Sequence, residues 1–269
     1  MRLVRREQQA ANEVEWDPDA GTIDTAGLAG IDAIVSLSGE YLGKRWTKER
    51  KAEILESRVS TAGLLARTAA ELDPRPSVLV SAGGAGIYGG RGDEILTEDS
   101  ALGEGFLSEV GRAWEDAAEP ARAAGIRVVN FRQGIVLSRE GGALERMLTP
   151  FKLGIGGRVG SGRQWWAWVA LDDIVAAYRF ALEGDLAGPV NLSSPNPATN
   201  EQFVKALGKA LGRPTVIPAP GFAIKTVFGE MGVAMLLEGQ RVLPARLLDA
   251  GFPFTQPDIG VALERAVAR

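Results

Sequence analysis

Three short apolar runs rich in β-branched residues, 33–37 (AIVSL), 77–82 (SVLVSA) and 126–131 (IRVVNF), are separated by long stretches with apolar residues at helical spacing. Runs without polar alternation read as strands covered on both faces, which is the habit of parallel sheets. The stretches between them, 47–72 and 106–124, read as helices. Asp73–Pro74 stops the first, and Gly125 follows the second where a left-handed residue commonly closes a helix. Strand–helix–strand repetition of this kind calls for crossover connections and therefore an α/β fold with a parallel sheet.

After Leu137 the texture changes. GGALERMLTPFKLG reads as a short helix, and GIGGRVGSGRQWWAW as a Gly-rich segment ending in aromatics. LDDIVAAYRFALEG reads as a helix with Asp172 and Asp173 in its first turn, where carboxylates suit the helix dipole. PVNLSS (189–194) is a further strand, and NEQFVKALGKALG a helix for which Asn200 is the expected cap. The remainder is Pro-punctuated and helical, with a last helix near 257–267. The expected division is a dinucleotide-binding domain over 1–150, continued by 167–193, and a smaller substrate-side region over 151–166 and 194–269.

What the chain lacks narrows its chemistry. With no Cys there is no disulfide, thiolate nucleophile or zinc–thiolate site. With no His, Ser–His–Asp triads and imidazole metal ligands are excluded. Acid–base work falls to Tyr, Lys, Asp, Glu or water, and only three Tyr exist: Tyr41, Tyr88 and Tyr178. A net charge of −4 without a Lys/Arg cluster argues against nucleic acid as a partner. No apolar run is long enough for a membrane span, and the N-terminus lacks a secretory signal, so the cytoplasm is the expected location. No metal site is expected either: Asp172–Asp173 has no third carboxylate nearby.

GAGIYG (Gly84–Gly89) is a G-x-G-x-x-G directly after a strand, yet it is a poor dinucleotide fingerprint. Such a fingerprint needs a helix to open on its glycines, so that helix N–H groups hold the pyrophosphate. Here the following GRGDEILTEDSALGEG is charged, Gly-rich and aperiodic. Likewise GGRVGSGRQWW is no P-loop, because no Lys-Ser/Thr and helix follow it.

Taken in order, LSGEYLGKRWTKERKAEILESRV, SAGGAGIYGGRGDEILTEDS, FRQGIVLSREGGAL, GGRVGSGRQWWAWVALDD and GQRVLPARLLDAGF resemble the extended short-chain dehydrogenase/reductases. More closely, they resemble the epimerase-like atypical subfamily of nucleoside-diphosphate-sugar epimerase relatives, which has its own C-terminal domain. The resemblance covers almost the whole chain. It implies a Rossmann-type parallel sheet with a mostly helical C-terminal region closing over the strands' carboxyl edge. It also implies an NADP-binding protein acting on a small or nucleotide-linked substrate, as an oxidoreductase or isomerase, with a homodimer left open. The alternative is a non-catalytic, NADP-binding regulator, since relatives include proteins tied to bacterial and plastid division.

Carried over residue by residue, the resemblance places Leu37, Ser38 and Gly39 under the adenosine half of the cofactor. Arg58 faces the cofactor or else solvent. Ala82 and Gly83 are placed against the cofactor, and Arg132 and Gly134 fall where relatives close over the nicotinamide and substrate. The Gly-rich segment itself reads either as a cover over the site, with Arg163 reaching a substrate anion and Trp165 or Trp166 forming an apolar wall, or as a core aromatic cluster at a domain junction. Arg5 and Arg6 fall where two guanidiniums would suit a ribose 2′-phosphate, hence NADP over NAD. Two departures stand out. The family's Tyr-x-x-x-Lys is missing, with Phe106 and Val110 in its place, and the family-like Ser is Gly83. Tyr88, at the expected mouth of the site, and Ser81 are the remaining catalytic candidates, the alternatives being a Tyr88 ring stacked near the nicotinamide and a Ser81 that is only a strand-end hydrogen bonder. The chain also opens at what resembles the family's second strand, MRLVRR, so the Rossmann sheet is expected to lack the preceding strand–glycine loop–helix of about thirty residues. In that form it is expected to bind NADP(H) poorly and to self-associate.

Overall fold

The computed structural model describes residues 1–268. A small ribbon opens the chain: β1 (Arg2–Val4) runs parallel to β2 (Glu13–Asp17), which pairs antiparallel with β3 (Thr22–Ile23). Then come β4 (Ala33–Ser36), α1 (Lys48–Glu71), β5 (Val78–Gly84), a 3₁₀ turn at Ala85–Tyr88, β6 (Ile95–Leu96), α2 (Phe106–Asp116), α3 (Glu119–Ala123) and β7 (Arg127–Gln133). The second half holds β8 (Ile135–Leu137), α4 (Gly142–Lys152), β9 (Trp165–Trp166), β10 (Trp168–Ala170), α5 (Leu171–Glu183) and β11 (Gly188–Leu192). It closes with β12 (Ala198–Thr199), α6 (Asn200–Leu211), α7 (Gly221–Gly232), β13 (Arg241–Val242), α8 (Ala245–Asp249) and α9 (Ile259–Ala268).

The main sheet has the order β11–β7–β5–β4, with every pairing parallel. Its register explains its two faces. Ile34, Leu79 and Val128 are cross-strand partners and share a core with Leu64, Leu65, Ala66 and Ala121 of α1 and α3. The alternate residues Val78, Val80, Val129 and Phe131 face the other way, onto Ile174, Ala177 and Tyr178 of α5. Sheet residues buried on both sides gain roughly 1.5–3 kcal/mol each from leaving water, which is why these runs carry no polar alternation. At β4 this cover fails: Val35 is 41% exposed. The ribbon and the main sheet are separate sheets, and a cleft of about 320 Å³ lies between them, lined by Leu3, Trp16 and Ile34–Ser38 among others.

Two helix expectations are corrected. The stretch 106–124 is two helices, because Pro120 lies in the first turn of α3, where its missing N–H costs nothing. Gly125 does take the left-handed conformation, at φ +82°. The cap of α6 is Thr199, whose side chain accepts from Gln202 N while the Gln202 side chain accepts from Thr199 N, a reciprocal capping box. Asn200 is instead the first helical residue, and its Oδ1 accepts from Val159 N at 2.8 Å. A second core forms where Leu144 and Phe151 of α4 meet Trp166, Trp168, Phe203 of α6 and Leu263 of α9. Thus α4 packs with the C-terminal elements.

Candidate functional site

Three of the segments singled out from sequence meet at the carboxyl edge of the main sheet. Leu37–Ser38–Gly39 leaves β4, Ala82–Gly83–Gly84 ends β5, and Arg132–Gln133–Gly134 ends β7, and these three strands are neighbours. Open α/β sheets bind ligands in this crevice. Two of the glycines are there because backbones come close. A Cβ on Gly83 would stand 2.7 Å from the Phe131 carbonyl oxygen, and one on Gly134 would stand 2.7 Å from the Ala167 carbonyl carbon. A Cβ on Gly39 would press on the Arg58 guanidinium at 3.0 Å. The missing family-like Ser at Gly83 is therefore more than a substitution: this backbone leaves no room for a side chain.

One residue pair below the edge, Ser36, Ser81 and Asn130 are cross-strand partners and form a buried polar row on the α1–α2 face. Ser36 Oγ and Asn130 Oδ1 have no hydrogen-bond partner, and the same holds for the buried Trp114 indole N–H of α2. Ser81 is 1% exposed and donates to its neighbour's carbonyl at Ala82, so it is a strand-interior hydroxyl three residues before the end of β5. As a catalytic candidate it is displaced by that burial.

Arg58 is buried, which settles its two readings against solvent. It donates to Ile54 O and Glu40 O and lies 5.0 Å from the Trp114 ring. Burial lowers its pKa to about 10, still well on the charged side of neutrality. Its place against Gly39 makes it a support for the turn that leaves β4.

Tyr88 and Arg132 are corrected together. Tyr88 is fully buried rather than at the mouth of the site. Its hydroxyl donates to Asn191 Oδ1 at 2.7 Å and accepts from Arg132 Nη1 at 2.9 Å. Burial raises its pKa above the usual phenol value, so it stays a neutral hydrogen-bonding group. The Arg132 guanidinium also forks onto Glu115 of α2, at 2.7 and 2.9 Å. Burial works against its charge, but the Glu115 carboxylate outweighs this and holds its pKa above the ordinary value. With all three nitrogens engaged, Arg132 pins α2 to β7 and is not a free cation over the edge. Glu115 and Asn191 were not foreseen, and no spacing rule would have found them.

The positions of the family's Tyr and Lys are filled by apolar packing. Phe106 meets Trp46 edge-on at 4.9 Å, and Val110, Ile54 and Met231 complete the cluster. Trp165 is half-buried, donating to Asp93 Oδ1 at 2.7 Å under the Arg241 guanidinium, 4.4 Å from its ring. Arg163 is exposed and lines a cleft of about 760 Å³ with Asp93, Gln164, Glu201 and Glu238. Asp173 accepts from Thr255 N, Thr255 Oγ1 and Gln256 N, while Asp172 accepts from Gln256, so the pair pins the C-terminal segment to the start of α5. Among the described residues no group of three acidic side chains gathers as a metal site. Arg6 is held by Glu13 at 2.7 and 3.0 Å, whereas Arg5 is 51% exposed.

A parallel sheet with helices on both faces and close-approach glycines at its carboxyl edge defines a Rossmann-type nucleotide-binding protein. The model of the NAD dependent epimerase/dehydratase family matches residues 5–192, and one described as a domain of unknown function (DUF1731) matches residues 219–266. The chain belongs to the NAD-dependent epimerase/dehydratase family. It is 40% identical over 271 residues to the epimerase family protein Mb2239 of Mycobacterium bovis, covering 100% of this chain and 89% of that protein. It is 36% identical over 264 residues to the epimerase family protein YfhF of Bacillus subtilis, covering 97% and 86%. Among solved structures, the human epimerase family protein SDR39U1 (isoform 2) with NADPH matches with a TM-score of 0.90 and 34% identity, over 99% of this chain and 90% of that one. UDP-glucose 4-epimerase of Thermus thermophilus with NAD shares the fold, with a TM-score of 0.69 and 17% identity over 91% and 82%. No described helix is long and apolar enough to cross a membrane.

Proposed function

We propose that the chain binds NADP(H) along the carboxyl edge of β4, β5 and β7 and acts on a small or nucleotide-linked substrate admitted from the C-terminal side. The observation that carries this reading is the edge itself: β4, β5 and β7 are adjacent and parallel, so the segments that leave them, at Leu37–Gly39, Ala82–Gly84 and Arg132–Gly134, meet in one crevice of the kind where open α/β sheets take their ligands. The likeness to a human relative crystallised with NADPH supports the choice of cofactor. When bound, the nicotinamide supplies a hydride donor or acceptor. Leu37, Ser38, Ala82 and the main chain at Gly83 and Gly134 would orient the cofactor, with Arg58 holding the turn at Gly39. Arg163 lines the cleft proposed for the substrate, and Trp165 is hydrogen-bonded to Asp93 in its wall. The proton partner of the hydride is assigned to substrate or water, because Phe106 and Val110 close the place of a phenolate–ammonium pair and Tyr88 is sealed in. Fluorescence titration with NADPH and NADH tests the reading. It predicts weak but saturable binding with NADPH the tighter ligand; no binding of either up to roughly millimolar ligand, or a preference for NADH, would overturn it.

A further inference from the structure

Large apolar side chains left in water gather on one surface of the C-terminal part. Leu153 and Ile155, just after α4, are 71% and 56% exposed, and Val216 and Ile217 are 79% and 49% exposed. Phe222 and Val227 of α7 are 75% and 59% exposed, although the same helix buries Ile224 and Met231. The bridges Gly157–Val216 and Val159–Ala219 hold the two segments side by side, and Phe222 follows three residues after Ala219. A single exposed apolar side chain needs no explanation, but a group of them marks a surface that is covered in use.

The charge on this surface has one sign. Segments 152–158 and 213–228 carry Lys152, Arg158, Arg213 and Lys225, all exposed, and no Asp or Glu, in a chain whose net charge is −4. Glu230, further along α7, is tied to Lys51 at 2.6 Å. A second copy seated face to face would set these cations against their own kind, which is repulsive. Anionic headgroups over an apolar interior answer both features, since apolar tips enter the acyl boundary while Lys and Arg reach up to the phosphates.

We propose that this surface docks the protein on an anionic lipid membrane, lying on the bilayer without spanning it. The proposal is independent of the cofactor reading. Co-sedimentation with vesicles of phosphatidylcholine plus phosphatidylglycerol, and of phosphatidylcholine alone, tests it in the parent chain, F222S and the double variant K152E/R213E, each with its thermal midpoint. The parent is expected to bind the anionic vesicles, to leave the neutral ones in solution, and to be released by about 0.5 M salt. F222S should weaken binding by about tenfold. K152E/R213E should weaken it by about 25-fold or more, at about fivefold for each cation lost. Neither should move the midpoint, because all three side chains are exposed. No binding of the parent to anionic vesicles, equal binding to both kinds, or unchanged binding in both variants would overturn the proposal. So would a dimer in sedimentation velocity that F222S dissolves, which would give this face to a second copy.

Discussion

Tyr88 shows how a side chain's chemistry is decided by what its polar atom meets. Its hydroxyl joins Arg132 of β7 to Asn191 of β11, and Glu115 completes the chain of contacts. Removing the oxygen leaves Arg132 Nη1 and Asn191 Oδ1 each short of a partner in a buried place. Tyr88→Phe should therefore cost about 1–3 kcal/mol in denaturant unfolding, with NADPH affinity held within about twofold on the scale of ordinary measurement. A catalytic or cofactor-contacting Tyr would give the reverse. Gly83→Ser, which restores the family-like hydroxyl, should destabilise the chain by about 1–3 kcal/mol, the usual cost of overpacking, because its Cβ meets the Phe131 carbonyl. A stable Gly83→Ser variant would show that the edge is looser than the structure has it. Glu13 carries the acid dependence. Its hydrogen bonds from Arg6 and then Arg2 lower its pKa from 4.5 to about 2. A lowered folded-state value means the carboxylate's stabilisation is present above about pH 4.5 and is lost as the pH falls toward 2. Glu13→Gln should flatten the acid limb of the stability profile over that window.

At the scale of elements, the long and apolar segments were legible and the short or polar ones were not. The runs at 33–37, 77–82 and 126–131 became β4, β5 and β7 within one or two residues, since both faces of β5 and β7 and one face of β4 are covered. EVEWD alternates as a strand should, with Val14 and Trp16 buried, yet Glu13 is buried as well, and its partner Arg2 cannot be guessed without the register. The burial of Tyr88 was equally hidden, because its partners lie 44 and 103 residues away. Arg5 and Arg6 read alike until the fold gave Arg6 the buried Glu13 and Arg5 the exposed Asp19 as partner. The segment leaving β4 is held in a way no motif announces: Arg45 donates to Thr226 O and Val227 O, the carbonyls before the break in α7 at Gly229, where φ is +61°. Lys51 adds an ion pair to Glu230 at 2.6 Å. Cations suit the carbonyl end of a helix, so Arg45→Ala should raise amide exchange across 221–232 while α1 keeps its protection. Unchanged exchange in α7 would mean that this clasp holds nothing.

For the whole molecule, the α/β class and the family were legible because the strand–helix alternation and the motif order survive along the chain. The candidate site was legible as a place, the carboxyl edge, and less so as a set of roles: Tyr88, Ser81 and Arg132 turned inward to hold the sheet, while the glycines remained at the surface of the edge. A cofactor lying along this edge would leave a footprint on the three strand ends. Hydrogen–deuterium exchange with and without saturating NADPH tests it most directly. Protection is predicted at 37–43, 82–89 and 132–136, the three adjacent strand ends and the turns that leave them, with the cleft around Arg163 little changed. Protection confined to the Arg163 cleft, or none anywhere at a concentration where fluorescence reports binding, would contradict it.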